Sequence, residues 1–251
     1  MIRVGVVVPT FERPEETLRA VESVLAQTLP VAQIIVVDDG SNGESLTRLK
    51  SKLEGLPIEL IELSHSGHPG IVRNAGLNKI ATEWVAFLDS DDLWKPEKIE
   101  VQINQINKLN AVAVCSNATI MGNQGRFFPK FPKRISFRKL LRRNLIITSS
   151  VLVKTSVLRE VDGFATSTFS RGSEDYATWL RIGTLCDWQT SDTPLVIYND
   201  DSISSIRKSE EFTQANSNIY GILDFISWRD SKGRSPSILL KSVLRVLTWV
   251  A

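Results

Sequence analysis

Residues 84–94 read WVAFLDSDDLW, five apolar residues closed by the carboxylates Asp89, Asp91 and Asp92. An apolar run this short, followed at once by polar residues, reads as a strand buried within a parallel sheet. Working outward, the same design recurs at VGVVVPT (4–10) and at IIVVDDGS (34–41), where Asp38 and Asp39 close the run. Strands are predicted at residues 3–8, 33–37, 58–63, 84–88 and 111–114. Between the first two, Pro14 suits a helix first turn, and Leu18, Val21, Val24 and Leu25 repeat on one face. Ile99, Ile103, Ile106 and Leu109 make a similar stripe after Pro96. This alternation predicts an α/β fold, Rossmann-like, with a mostly parallel sheet, right-handed crossovers and helices on both faces.

After Cys115 the pattern changes. Residues 118–121, a Gly-Asn-Gln-Gly turn and residues 126–128 read as a hairpin. Further strands are expected at 149–153 and near Trp188 and Leu195, with helices near Thr155 and Glu174 and beyond Lys208. The chain divides accordingly into one domain at 1–207, with halves 1–116 and 117–207, and a helical segment at 208–251.

The chain has 251 residues, 42% of them hydrophobic, enough to bury a full core. Its 30 basic and 28 acidic residues leave a net charge of only +2, which does not call for nucleic acid. Cys115 and Cys186 have no CxxC spacing and read as reduced thiols. The apolar start is too short for a membrane span, and no other run reaches about 18 uncharged apolar residues. A cytoplasmic location is expected, with peripheral membrane contact as an option. That option rests on the basic run 133–143 and on the apolar end SILLKSVLRVLTWVA (237–251).

Ligands of open parallel sheets bind beyond the carboxyl ends of the strands, where Asp38, Asp39, Asp89, Asp91 and Asp92 fall. Carboxylates as close as Asp89 and Asp91 raise each other's pKa unless neutralised, and a hard cation with oxygen ligands suits them. Each group taken alone is equally what a solvated turn or a helix cap looks like. SRGSEDYATWLRIG (170–183) reads as a loop and a helix whose first turn carries Glu174 and Asp175, either caps or a general base. His65 and His68 have no spacing that favours zinc.

Together and in this order, VVVPTFERPE, VVDDGSNGES, GHPGIVRNAGL, FLDSDDLW and SEDYATWLRIG resemble glycosyltransferase family 2, over about residues 3–205. That family has the GT-A fold and transfers sugars from nucleoside-diphosphate sugars with inversion. The resemblance implies Pro9, Thr10, Glu12 and Asp39 around the nucleoside, with Arg73 nearby. It implies Asp89 toward ribose or metal, Asp91 as principal ligand of Mn²⁺ or Mg²⁺, and Asp175 as general base. Residues 1–116 become the nucleotide-binding half and 117–207 the acceptor half. A UDP-sugar donor and a glycan or lipid-linked acceptor are the expected partners.

The chain departs from the family pattern in two places. Phe11 stands where Tyr is frequent, and no His follows His68, leaving Asn199, Asp200 or Asp201 for a late metal or phosphate contact. Two other function classes fit less well. A non-catalytic nucleotide-sugar binder needs no base carboxylate. An aspartyl-phosphate phosphatase, suggested by LDSDDL, places that motif on its first strand.

Overall fold

The computed structural model describes residues 2–122, 125–199 and 214–233. Its strands are β1 (Val4–Thr10), β2 (Gln33–Asp38), β3 (Glu59–Glu62), β4 (Trp84–Phe87), β5 (Leu93–Trp94), β6 (Ala113–Ile120), β7 (Arg134–Ile135), β8 (Leu152–Lys154) and β9 (Trp188–Tyr198). The helices are α1 (Pro14–Leu25), α2 (Gly43–Leu53), α3 (Pro69–Lys79), α4 (Lys98–Leu109), α5 (Phe137–Leu140), α6 (Thr155–Glu160), α7 (Glu174–Gly183) and α8 (Gln214–Ser231).

All nine strands share one sheet in the order β3-β2-β1-β4-β8-β6-β9-β5, with β7 also on β9. Strands β3, β2, β1 and β4 pair in parallel, while β8 lies antiparallel between β4 and β6. Because β6 and β9 are parallel to each other, only β5, β7 and β8 run against the rest. This is the α/β, mostly parallel architecture expected.

Alternation along β1 sends neighbouring side chains to opposite faces. Val7 joins a core with Val72 and Leu77 of α3 and Trp179 of α7. Val6 and Val8 join a second core with Val21 of α1, Leu49 of α2 and Ile103 of α4. Helices therefore cover both faces.

The hairpin expected at 118–121 and 126–128 is present as a short antiparallel return, with Phe127 N–H donating to the Ala118 carbonyl at 2.9 Å and Ile120 N–H to the Gly125 carbonyl at 3.3 Å. Its first arm belongs to a longer strand, 113–120, which pairs with β9 from Val114 onward, while the second arm returns through the Thr119–Arg126 bridge. The Asn117 amide extends this pairing by one residue, donating to the Phe128 carbonyl at 2.8 Å and accepting from the Phe128 N–H at 3.1 Å. Asn123 and Gln124 of that turn lie outside the described residues. Likewise the two strands expected near Trp188 and Leu195 are one, carried past Pro194 by a register shift opposite Asn117, where a missing N–H is tolerated.

The strand expected at 149–153 starts later, at Leu152, because Thr148–Ser150 coil into a 3₁₀ turn. Within the basic run, only Phe137–Leu140 is helical, and Ile135 and Leu140 are buried in the core. Of the segment 208–251, α8 is described; it packs on α7 through the buried Arg181–Asp224 ion pair. The apolar end lies outside the described residues. Among those described, no helix is long and apolar enough to cross a membrane.

Candidate active site

A cleft of about 850 Å³ opens at the carboxyl ends of β1, β2 and β4. Its walls include Pro9, Thr10, Asp39, Arg73, Asp89, Asp91 and Asp175, so seven of the eight expected site residues share it. Glu12 does not line it. At a left-handed φ of 55°, Glu12 turns its carboxylate onto the backbone N–H and side-chain amide of Asn42, bracing the β1–α1 loop against α2.

Adjacent Asp38 and Asp39 have separate tasks. Asp38 accepts from the N–H groups of Gly40 at 3.1 Å and Ser41 at 2.9 Å, which folds the turn after β2. Asp39 faces the 65–67 loop, accepting from Ser66 N–H and Gly67 N–H, both at 2.9 Å, and from the Ser66 hydroxyl at 2.7 Å. The ring of His65 stacks on Phe11 at 4.3 Å, and its Nδ1 bonds the Asp39 carbonyl at 2.8 Å. Phe11 remains 41% exposed, which leaves an aromatic surface at the cleft wall. His68 caps α3: its Nδ1 accepts from Gly70 N–H at 3.2 Å, which leaves the proton on Nε2 to donate to the Ser167 carbonyl at 3.0 Å.

Beyond β4 the acids are spread among cations. Arg73 donates to Asp89 at 2.7 Å and to Glu174 at 2.8 Å, joining the two halves of the chain across the floor. Burial opposes the Arg73 cation, but the charges of Asp89 and Glu174 outweigh it and raise its pKa further. Asp91 pairs with Arg13 at 2.6 Å. Burial, then the Asp89 charge, still push its pKa above the usual carboxylate range. Asp92 is buried, accepts from the Ser149 hydroxyl and from Asn199 N–H at 2.8 Å, and is pushed well up by burial and by Asp89. Asn199 therefore meets the acid loop through its backbone. Asp200 and Asp201, the other candidates for the late contact, lie outside the described residues.

The 3₁₀ turn before β8 joins this loop to the second half. Ser149 Oγ accepts from Asp89 N–H at 3.1 Å, and the neighbouring Thr148 hydroxyl donates to Asp175 at 3.1 Å. The turn is clamped from behind. Trp94 Nε1 donates to the Ser149 carbonyl at 2.8 Å, Gln102 to the Ser150 carbonyl at 2.7 Å, and Lys98 Nζ reaches the Val151 carbonyl at 3.4 Å. Lys98 is fully buried, lies 4.0 Å from the Trp94 ring centre and donates to Gln102 at 2.8 Å. Burial pulls its pKa well below the ordinary lysine value.

The sequence reading passed over Arg13, Thr148, Ser149 and the Lys98–Gln102 pair. Arg13 stands one residue from Glu12 in a charged loop, and nothing local marks its reach to Asp91. Lys98 and Gln102 do carry a signal, since both fall on the apolar face of the Ile99, Ile103 and Ile106 stripe.

Family and structural comparisons rest on the same residues. The sequence model described as glycosyl transferase family 2 matches residues 5–165, the span that supplies Pro9 through Thr148 of this cleft. The chain belongs to glycosyl transferase family 2. It is 33% identical over 187 residues to the poly(ribitol-phosphate) β-N-acetylglucosaminyltransferase TarP of Staphylococcus aureus, covering 70% of this chain and 55% of TarP. Among eight of the curated relatives it matches, the chain spans between 26% and 71% of their lengths. Two solved structures share the fold. S. aureus TarS in complex with UDP-GlcNAc aligns with a TM-score of 0.69 at 19% identity, over 92% of this chain and 73% of that one. The mannosyltransferase PcManGT of Pyrobaculum calidifontis, in complex with GDP-Man and Mn²⁺, aligns with a TM-score of 0.64 at 16% identity, over 98% and 80%. In this family 2 chain LDSDDL follows the fourth strand rather than the first, so the placement that the phosphatase reading requires is not met.

Proposed function

We propose that the chain transfers a sugar from a nucleoside-diphosphate sugar, with UDP as the favoured carrier, to an acceptor hydroxyl by a single inverting displacement. The observation that carries this reading is the Thr148–Ser149 turn. One residue holds Asp175 and the next holds the Asp89–Asp92 loop, so a base and a leaving-group site face one cleft.

Pro9, Thr10, Phe11 and Asp39 form the nucleoside side, with Glu12 holding the loop that carries them. Asp89 and Asp91 suit a hard cation, since both offer carboxylate oxygens and burial, with the Asp89 charge, raises the pKa of Asp91; the cation would take the place of Arg13 on Asp91. Among the described residues no three His, Cys, Asp or Glu side chains cluster for a metal, so a cation held by these two carboxylates would need further ligands from the donor. Mn²⁺ or Mg²⁺ bound at Asp91 and Asp89 would stabilise the charge growing on the departing diphosphate as a Lewis acid. Arg73 holds Asp89 and Glu174 in place, while Asp175 accepts the proton of the attacking hydroxyl. The Thr148 hydroxyl orients the Asp175 carboxylate toward that proton.

Isothermal calorimetry tests the donor site. A nucleoside diphosphate should bind in the presence of Mn²⁺ and bind more weakly to Asp91→Asn than to wild type. Equal binding by both would remove Asp91 from the metal shell. Peripheral contact with an anionic membrane belongs to the same proposal. It predicts co-sedimentation with phosphatidylglycerol vesicles that fades as salt rises.

A further inference from the structure

Arg142 and Arg143 line the cleft wall and are exposed, and no step described above uses them. They follow Leu140 and Leu141, which are buried to 0% and 8% exposure. The Tyr176 hydroxyl donates to the Leu140 carbonyl, and the N–H groups of Arg142 and Arg143 close turns onto the Lys139 carbonyl at 3.2 and 3.3 Å. The backbone that presents both guanidinium groups is thereby anchored to α7, the helix that begins at Glu174 and Asp175. Downstream, only residues 144–147 separate Arg143 from Thr148 and its bond to Asp175. Even fully extended, that stretch spans at most about 18 Å.

Charge separates these two arginines from the others at the site. Arg13 and Arg73 are paired with Asp91, Asp89 and Glu174. Among the described residues neither Arg142 nor Arg143 has a carboxylate partner, and Arg143 lies over the Phe128 ring at 5.8 Å. Two guanidinium groups with no carboxylate partner leave positive charge available to an anion, and their planar forks match phosphate oxygens. Arg171 also lines the cleft, but its Nη2 lies 3.5 Å from where a Cβ on Gly67 would stand, beside the Asp39 loop on the nucleoside side.

We propose that Arg142 and Arg143 form a subsite for a phosphate group carried by the acceptor, next to the hydroxyl that Asp175 deprotonates. The subsite presupposes the glycosyltransferase chemistry above. A phosphodiester polymer and a lipid-linked diphosphate both present such a group.

The full chain, with Mn²⁺ and a nucleoside diphosphate already bound to fill the donor site, is titrated with an oligo(glycerol phosphate) and with geranyl diphosphate. Neutral oligoglycerol and geraniol serve as controls. Wild type should bind at least one phosphate probe, and the oligomer or the prenyl compound identifies the source. Arg142→Gln/Arg143→Gln should bind that probe roughly tenfold more weakly, as loss of charge-assisted contacts implies. Its melting temperature and nucleoside-diphosphate affinity should be unchanged. Binding of neither probe, equal binding by the double variant, or equal binding of the neutral controls overturns the subsite. Loss of nucleoside-diphosphate affinity in the double variant would assign the arginines to the donor and equally overturn it. If wild type binds no nucleoside diphosphate at all, the glycosyltransferase reading itself fails, and the acceptor subsite with it.

Discussion

Glu174 and Asp175 are adjacent carboxylates that tertiary contacts have given different work. Glu174 is buried between Arg73 and the Gly172 N–H, 2.8 and 2.7 Å away. Removing its charge leaves the buried Arg73 with Asp89 as its one ion-pair partner, and breaking a buried pair costs up to about 3–5 kcal/mol. Glu174→Gln should therefore lower the melting temperature, with activity falling along with folding. Asp175→Asn keeps shape and size but cannot take up a proton. Transfer should drop by about 10²–10⁴-fold while the melting temperature and donor affinity hold. Near-normal turnover by Asp175→Asn in a steady-state assay would move the base elsewhere. Asp91 and Asp92 divide in the same way. Asp92→Asn should act on stability, through Ser149 and Asn199, whereas Asp91→Asn should weaken metal-dependent nucleotide binding.

At the scale of elements, the 3₁₀ turn and α4 act as one unit. Lys98 is the buried part of that clamp, and burial holds its pKa well below 10.5. Between that depressed value and 10.5 the unfolded chain binds a proton that the folded chain does not. Stability therefore rises with pH across this window and is lost as pH falls through it, by up to about 1.4 kcal/mol per pH unit. Urea denaturation over the window should show that slope in wild type and a flatter one in Lys98→Met. An unchanged slope would assign it to another group. Close packing sets a second element. A Cβ on Gly70, at the start of α3, would lie 2.2 Å from the Ala165 carbonyl oxygen. Gly70→Ala should push α3 away from the 165–173 loop, lowering stability and loosening the Arg73–Glu174 bridge. A melting temperature equal to wild type would contradict this.

Across the whole molecule, the sheet does not stop where the two halves meet. Strand β8, from the second half, lies between β4 of the first and β6, which spans the boundary, so the acid loop after β4 and the Thr148–Ser149 turn before β8 meet at one end of neighbouring strands. Ligand binding in the cleft should therefore stabilise the chain as a unit. A nucleoside diphosphate at about 100 times its dissociation constant, with Mn²⁺, should add about 2.7 kcal/mol. A single cooperative transition moved upward in calorimetry is the expected result. No shift with any nucleoside diphosphate would count against the donor site.

The sequence by itself determined the first four sheet strands, the helices on both faces and the acids at the strand ends. Those features follow from local periodicity and from where an apolar run meets a polar residue. The cleft lining of Pro9, Thr10, Asp39, Arg73, Asp89, Asp91 and Asp175 was legible for the same reason, helped by motif order. Only the tertiary structure decided that β8 enters between β4 and β6, that residues 113–120 and 188–198 are single strands, and that Glu12 turns away onto Asn42. It also decided the partner of each acid, Arg73 for Glu174, Thr148 for Asp175, Arg13 for Asp91 and Ser149 for Asp92, and it placed Lys98 in the core. Those outcomes depend on partners such as Ser149, Arg73 and Gln102 that lie far along the chain. Their distance and orientation are set by sheet order and packing, and no local pattern encodes them.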